Sequence, residues 1–195
     1  MSSNQNHRHK LILGSRSPRR HQLLREAGIE FVAIESGTDE TPMTDEAARD
    51  FALRMAREKA LAVSLKAPRD LVLTADTVVE IDGDILNKPE GAESARAMLR
   101  RLSGRTHVVI TAFAIARDNA VLESTPIQSR VSFRELTDDM IDAYIASGEP
   151  FDKAGAYGIQ GKGADFIIQV DGSWSNVMGL PVDETLAALR RYGAI

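Results

Sequence analysis

Apolar positions fall into short runs with two different periods along the chain, and Gly, Pro, Asp and Asn mark the breaks between them. Lys10–Leu13 is a compact apolar run that predicts a strand. Ser17 followed by Pro18 predicts a helix start, because Ser accepts from free N–H groups and Pro is tolerated where no intrahelical donor is needed. That helix is expected to reach about Ala27 and to stop at Gly28. Phe31–Ile34 predicts a second strand and Asp39–Pro42 a loop. Phe51, Met55, Ala56, Lys59 and Val63 share one face at helical spacing, which predicts a helix from near Thr44 to about Leu65. Leu71–Leu73 then predicts a strand that delivers Asp76-Thr77 at its carboxyl end. Val78–Ile81 continues it to a hairpin signal at Asp82-Gly83. Further on, a helix is expected over Glu90–Leu102, two long strands over His107–Ala116 and Val121–Phe133 joined at Asp118-Asn119, and a helix capped by Thr137 that runs to about Ala146. A Gly-rich loop over Gly148–Gly163, a strand over Phe166–Val170 and a last helix from Leu180-Pro181 to near Tyr192 complete the pattern.

Strands and helices mix irregularly, so the expected class is α/β with a mixed, long-stranded sheet flanked by helices. The 195 residues, 43% hydrophobic and 27% charged, suit a polar tail over residues 1–10 and a single domain over 11–195. No run approaches the roughly 18–20 apolar residues of a membrane span. No apolar run precedes Leu11, so neither a span nor a secretory signal is expected, and the cytoplasm is the expected location. The absence of cysteine excludes disulfides, thiolate nucleophiles and Cys-based zinc sites. The histidines are dispersed, which argues against a histidine metal site. A net charge of -4 argues against a broad nucleic-acid face but leaves room for a small anion in a local basic pocket.

Several segments have the residue types for such a pocket. Ser15-Arg16-Ser17-Pro18-Arg19-Arg20 lies between a strand and a helix N-terminus, where free N–H groups and the helix dipole favour anions. Two arginines in a first helical turn oppose that dipole by a few tenths of a kcal/mol each, a penalty that a bound polyphosphate reverses. The same segment also reads as a capped surface helix with solvated arginines. Asp76 can bind a metal or deprotonate water, or simply begin a turn. Lys59 beside an apolar stripe either snorkels or pairs with an anion. Lys88-Pro89 follows a hairpin. In Asp152–Gly161, three glycines allow close backbone approach, and Gln160 offers a donor and an acceptor together, as an amide reading a base edge requires. A self-packed surface loop is the other reading of that stretch. Neither GxxxxGK[ST] nor GxGxxG occurs, so those two nucleotide-binding schemes are absent.

Taken in order, SRSPRR at Ser15–Arg20, DET at Asp39–Thr41, REKA at Arg57–Ala60, ADTVV at Ala75–Val79, NKP at Asn87–Pro89, LSGRTH at Leu102–His107 and DKAGAYGIQG at Asp152–Gly161 resemble the motifs of the Maf family of nucleotide pyrophosphatases. The resemblance spans roughly Leu11 to Tyr192. The DKAGAYGIQG form resembles the branch acting on dTTP and UTP, and differs from the branch acting on 7-methyl-GTP. Gly14 departs from the family's more usual Ala, a change expected only to loosen packing.

The resemblance implies an elongated α/β fold of the inosine triphosphatase type, with two lobes, a central cleft and a homodimeric assembly. It implies metal-dependent hydrolysis of dTTP and UTP to the monophosphate and pyrophosphate. It implies phosphate contacts from Ser17, Arg19, Arg20, Lys59 and Lys88, and Thr77, Lys153 and Gln160 near the base or the phosphates. Glu40 and Asp76 are implied beside Mg²⁺ or Mn²⁺ and the attacking water, so that Asp76, Glu40 and Lys88 carry the chemistry. The alternatives are the same reaction on 7-methyl-GTP or another modified nucleotide, and a nucleotide-binding regulator of septum formation with little turnover.

Overall fold

The structure is a computed structural model that describes residues 10–195, so the predicted polar tail lies outside the described residues apart from Lys10. The strands are β1 (Leu11–Leu13), β2 (Val32–Ala33), β3 (Leu71–Ile81), β4 (Asp84–Leu86), β5 (Thr106–Arg117), β6 (Ala120–Phe133) and β7 (Ile167–Asp171). The helices are α1 (Pro18–Glu26), α2 (Ala48–Ser64), α3 (Ala92–Leu102), α4 (Asp138–Ala146), α5 (Trp174–Met178) and α6 (Val182–Arg191). The strands form one seven-stranded mixed sheet in the order β2-β1-β3-β5-β6-β7, with β4 paired to the far half of β3. β1 runs parallel to β2 and to β3, and the remaining pairs are antiparallel.

Most elements follow the predicted pattern. Thr137 caps α4 by accepting from the Met140 N–H. Asp118 and Asn119 turn the β5–β6 hairpin with φ of 52° and 61°, the left-handed pair that matches strand twist. α2 begins at Ala48 rather than Thr44, because Thr44 and Asp45 form a turn in which Asp45 has φ 58°. The Gly-rich stretch is ordered into three short 3₁₀ turns, Glu149–Asp152, Ala154–Ala156 and Gly161–Phe166. Helix α5 had no predicted counterpart.

Gly14 overturns its expectation. A methyl group there would stand 2.5 Å from the Thr74 Cγ2 and 3.0 Å from a Val63 methyl. Thr74 is pinned, donating to the Ala56 carbonyl at 2.6 Å. Gly14 is therefore needed where β1 leaves the sheet against α2, rather than loosening it.

One face of the sheet is covered by α2, whose Phe51, Met55, Ala56 and Val63 pack on Val72, Val78, Ile110 and Ala112. The other face carries two separate packs. Leu71, Leu73, Ala75, Phe113 and Ile115 meet α1 and α6, while Val79, Ile81 and Val109 meet α3, α4 and the Tyr157 region. Along this face β3 reads Leu71, Leu73, Ala75, Thr77, Val79, Ile81, and β5 reads Val109, Thr111, Phe113, Ile115, since alternate residues share a face. The polar residues Thr77 and Thr111 oppose one another in register. They lie where one apolar pack ends and the next begins, which makes them the seam between two lobes.

Candidate active site

The cleft forms because β1 ends early. Pairing of β1 with β3 stops at Leu13–Leu73, and the Gly14 N–H adds a last bond to the Leu73 carbonyl at 2.8 Å. β4 takes over the same edge of β3 only from Val79. Residues 74–78 of β3 therefore lack a strand neighbour on that edge. Asp76 is thus not at a strand's carboxyl end, as expected, but mid-strand, paired to Ala112 on its other side. What opens around it is the gap left by β1. A cleft of about 370 Å³ occupies that gap and is lined by residues from both faces of β3, from the β1–α1 turn, from the segment after β2, and from the 3₁₀ region.

On the α2 face, Lys59 is only 5% exposed and Asp76 only 7%. The Lys59 Nζ donates to Asp76 Oδ1 at 2.7 Å and meets Glu40 Oε1 at 2.6 Å. Lys59 thus pairs rather than snorkels. Lys88 Nζ lies 3.7 Å from the other Glu40 oxygen, with both side chains about half exposed. Partial burial pushes the Glu40 carboxyl up, but the hydrogen bond and charge of Lys59, with Lys88 and Arg20 behind it, hold it below its ordinary value.

On the opposite face, Arg20 reaches across the cleft from α1. Its Nε donates to the Gly179 carbonyl at 2.8 Å, its Nη2 to Thr77 Oγ1 at 3.0 Å and its Nη1 to Ser15 Oγ at 3.3 Å. Burial lowers its pKa and the charges of Asp76 and Glu40 oppose that; an arginine stays protonated regardless. Ser17 occupies the N-cap position of α1, but its side chain makes no capping bond, and it lines the cleft. Arg19 Nη1 donates to Asp152 Oδ2 at 3.1 Å, tying α1 to the 3₁₀ region across the cleft mouth. Lys153 lines the cleft and donates to the Glu149 carbonyl and Asp152 Oδ1, both at 2.5 Å. Gly158 makes room for it: a methyl group there would stand 2.9 Å from the Lys153 Cε.

Ser17, Arg19, Arg20, Glu40, Lys59, Asp76, Thr77, Lys88 and Lys153 are therefore brought together, although their positions span most of the sequence. Gln160 is not: Gly158 and Ile159 line the cleft and Gln160 does not. Glu40 and Asp76 face each other across one ammonium group, a pair of hard oxygen donors that could hold a divalent cation. Among the described residues no third His, Cys, Asp or Glu joins them.

The family model of Maf-like proteins matches residues 10–192. The chain belongs to the Maf-like family. A dTTP/UTP pyrophosphatase of Methylococcus capsulatus is 50% identical over 185 residues, covering 94% of this chain and 91% of that protein. One from Escherichia coli O157:H7 is 47% identical over 186 residues, covering 95% and 94%. Among solved structures, the Staphylococcus aureus Ham1 protein superposes with a TM-score of 0.52 at 15% identity, over 94% of this chain and 98% of that one, which establishes the shared fold.

Two polar residues behind the wall of this Maf-like cleft carried no motif signal. Thr111 and Asn176 are both fully buried behind Thr77. Asn176 lies on α5, whose five residues are too few for a helical period to be visible. A Ser at 173 and a Gly at 179, the N-cap and the residue after the last turn, were the available signals.

Proposed function

We propose that the protein hydrolyses dTTP and UTP to the monophosphate and pyrophosphate with a divalent cation, acting in the cytoplasm. The observation that carries this reading is the convergence of Arg19, Arg20, Lys59 and Lys88 around Asp76 and Glu40 in one cleft. The likeness to dTTP/UTP pyrophosphatases over almost the whole chain supports the substrate. The cations suit a triphosphate: Arg19 and Arg20 offer forked donors to its oxygens, while Lys59 and Lys88 act as point charges. Glu40 and Asp76 are the residues that would hold the cation, which when bound polarises a phosphate oxygen and acidifies water. Asp76 accepts a proton from the water that attacks the α-phosphorus. The bond from that phosphorus to the bridging oxygen breaks, and pyrophosphate leaves towards Arg19 and Lys88.

The test is product analysis in ¹⁸O-labelled water with dTTP, UTP, dCTP, GTP and 7-methyl-GTP, each with Mg²⁺ and Mn²⁺. The expected result is one pyrophosphate per monophosphate, the label in the monophosphate, and dTTP and UTP turned over fastest. Release of orthophosphate, or label in the pyrophosphate, overturns the proposed bond. Faster turnover of 7-methyl-GTP overturns the proposed substrate.

A further inference from the structure

Arg20 differs from Arg54, another well-held arginine. Arg54 is clamped by carboxylates, with Nη2 2.6 Å from Glu46 and Nη1 3.3 Å from Glu58, so its charge is neutralised where it stands. Every hydrogen bond of Arg20 goes instead to a neutral oxygen, on Gly179, Thr77 and Ser15. Neutral acceptors fix a guanidinium in space and leave its positive charge for a ligand. Three of its five N–H groups are used, so two remain to face the cleft.

Thr77 can hold Arg20 only if its hydroxyl proton points away from the guanidinium, and the buried residues behind it impose that direction. The Thr111 hydroxyl donates to the Asn176 backbone carbonyl at 2.8 Å. Its proton is thereby committed, so in the 2.9 Å contact between the two threonines Thr77 must donate and Thr111 must accept. The other acceptor near Thr77, the Gly179 carbonyl at 3.4 Å, is farther and already takes the Arg20 Nε proton. The donors therefore run one way, from Arg20 to Thr77 to Thr111 to the Asn176 carbonyl. Asn176, 0% exposed, is itself saturated. Its Oδ1 accepts from the Thr111 N–H at 3.2 Å, and its Nδ2 donates to the Val109 carbonyl at 3.1 Å and to Ser129 Oγ at 3.0 Å. These bonds bolt α5 onto β5 and β6, and the end of α5 presents the Gly179 carbonyl. Two of the three anchors of Arg20 thus trace back to Asn176, one through Thr111 and one through α5.

We infer that Thr111 and Asn176 are positioning residues for Arg20: they orient the Thr77 hydroxyl and the Gly179 carbonyl so that an unneutralised guanidinium is aimed at the phosphates of the substrate. This rests on the proposed reading of the cleft as a triphosphate site. Thr77 then serves the reaction by accepting from Arg20, and donates nothing to the nucleotide.

The test is calorimetric binding of inorganic pyrophosphate with magnesium, which requires no turnover, together with melting temperatures. Thr111→Val keeps shape and deletes the hydroxyl. It is expected to weaken pyrophosphate binding by roughly 2–12-fold, the scale of one hydrogen bond between neutral groups, and to lower kcat/KM for dTTP by a similar factor. Thr111→Ser restores both. Ser64→Ala removes a buried hydroxyl outside this network, the acceptor of the Asn119 N–H at the β5–β6 turn, and is expected to lower the melting temperature while leaving pyrophosphate affinity unchanged. Should Thr111→Val not fold, Thr111→Ala lacks the same hydroxyl and adds no bulk. Wild-type affinity in the Val variant, failure of the Ser variant to rescue, or an equal affinity loss in Ser64→Ala would each overturn the inference, as would no pyrophosphate binding by the unsubstituted protein. Pyrophosphate binding with the expected variant pattern, but without nucleotide hydrolysis by the unsubstituted protein, would instead overturn the proposed function and leave the positioning role standing.

Discussion

Lys59 and Arg20, on opposite sides of β3, are held in opposite ways. On the α2 side, Lys59 sits between two carboxylates, and nearly all of its charge is spent inside the protein. On the α5 side, Arg20 is held by three neutral oxygens and keeps its charge. A pre-balanced cluster is stable when empty but must rearrange when a metal and a polyanion arrive, because the same ammonium cannot fully serve both carboxylates and a phosphate. A neutral cradle needs no rearrangement and is ready at the moment of binding. On the proposed reading, the cleft therefore joins an adjustable half around Lys59, where protonation changes during the reaction, to a fixed half around Arg20, whose charge is displayed to the substrate.

The harshest test of the adjustable half is Asp76→Asn. It keeps size and most hydrogen bonding but removes charge and basicity. With Asp76 as the proton acceptor, kcat is expected to fall roughly 10²–10⁴-fold while a non-hydrolysable triphosphate still binds. If metal ligation dominates, excess metal partly restores the rate. Near-normal turnover by a folded variant would remove Asp76 from the mechanism.

Next in size is Lys59→Met, which leaves Asp76 buried without its partner. Removing one member of a buried ion pair costs about 3 kcal/mol, and for a domain of this size that is a drop of roughly 6–12 °C in Tm. Adding Asp76→Asn should recover much of that loss, so the double-mutant cycle is expected to show a coupling of at least about 1 kcal/mol. Additive losses would mean that the two groups do not depend on each other, and the contrast between the two sides of β3 would collapse.

Acid provides a milder probe that distinguishes the halves. The folded Glu40 carboxyl lies below its ordinary value of 4.5, so it contributes stability that is present above that value and lost as pH falls through the lowered one. Glu40→Gln is therefore expected to flatten the acid side of a Tm-versus-pH curve below about pH 4.5 relative to wild type. Thr77→Val, which disturbs a network whose only ionisable member is an arginine, should shift the whole curve down without changing its slope. Parallel curves for wild type and Glu40→Gln would show that Lys59 does not stabilise the charged form of Glu40.

Much of this was legible in the sequence, and the failures have physical reasons. The helical stripe placed Lys59 on a buried face, and the order of motifs placed Ser17, Arg19, Arg20, Asp76 and Lys88 in one site. The conformation of Gly14 is ordinary, so only the positions of Val63 and Thr74, both distant in sequence, reveal that it has no room for a methyl group. The Thr77–Thr111 pair is set by strand register, which one sequence does not display, so the seam between the lobes was invisible. Asp76 was expected at a strand end because local pattern cannot show that it is β1, not β3, that ends there.

The smallest expected effect concerns Gln160. Its amide has the donor and acceptor that an imide edge needs, but chemical suitability is not placement. In the folded chain Gly158 and Ile159 line the cleft, and the backbone then turns at Gly161, with φ 70°, into a 3₁₀ segment, leaving Gln160 outside the lining residues. An amide off the cleft wall loses little when it is removed, so Gln160→Ala is expected to change kcat/KM by less than about fivefold, under about 1 kcal/mol. The change should be the same for dTTP, UTP and a purine triphosphate. Parallel kinetics on the three substrates decide the matter. A loss confined to dTTP and UTP, of the roughly 1–3 kcal/mol that an unpaired base edge costs, would mean that the segment around Gly161 swings inward when nucleotide binds. In that event the fixed half of the cleft would extend only as far as Ile159, and base selection would belong to a part of the protein that moves.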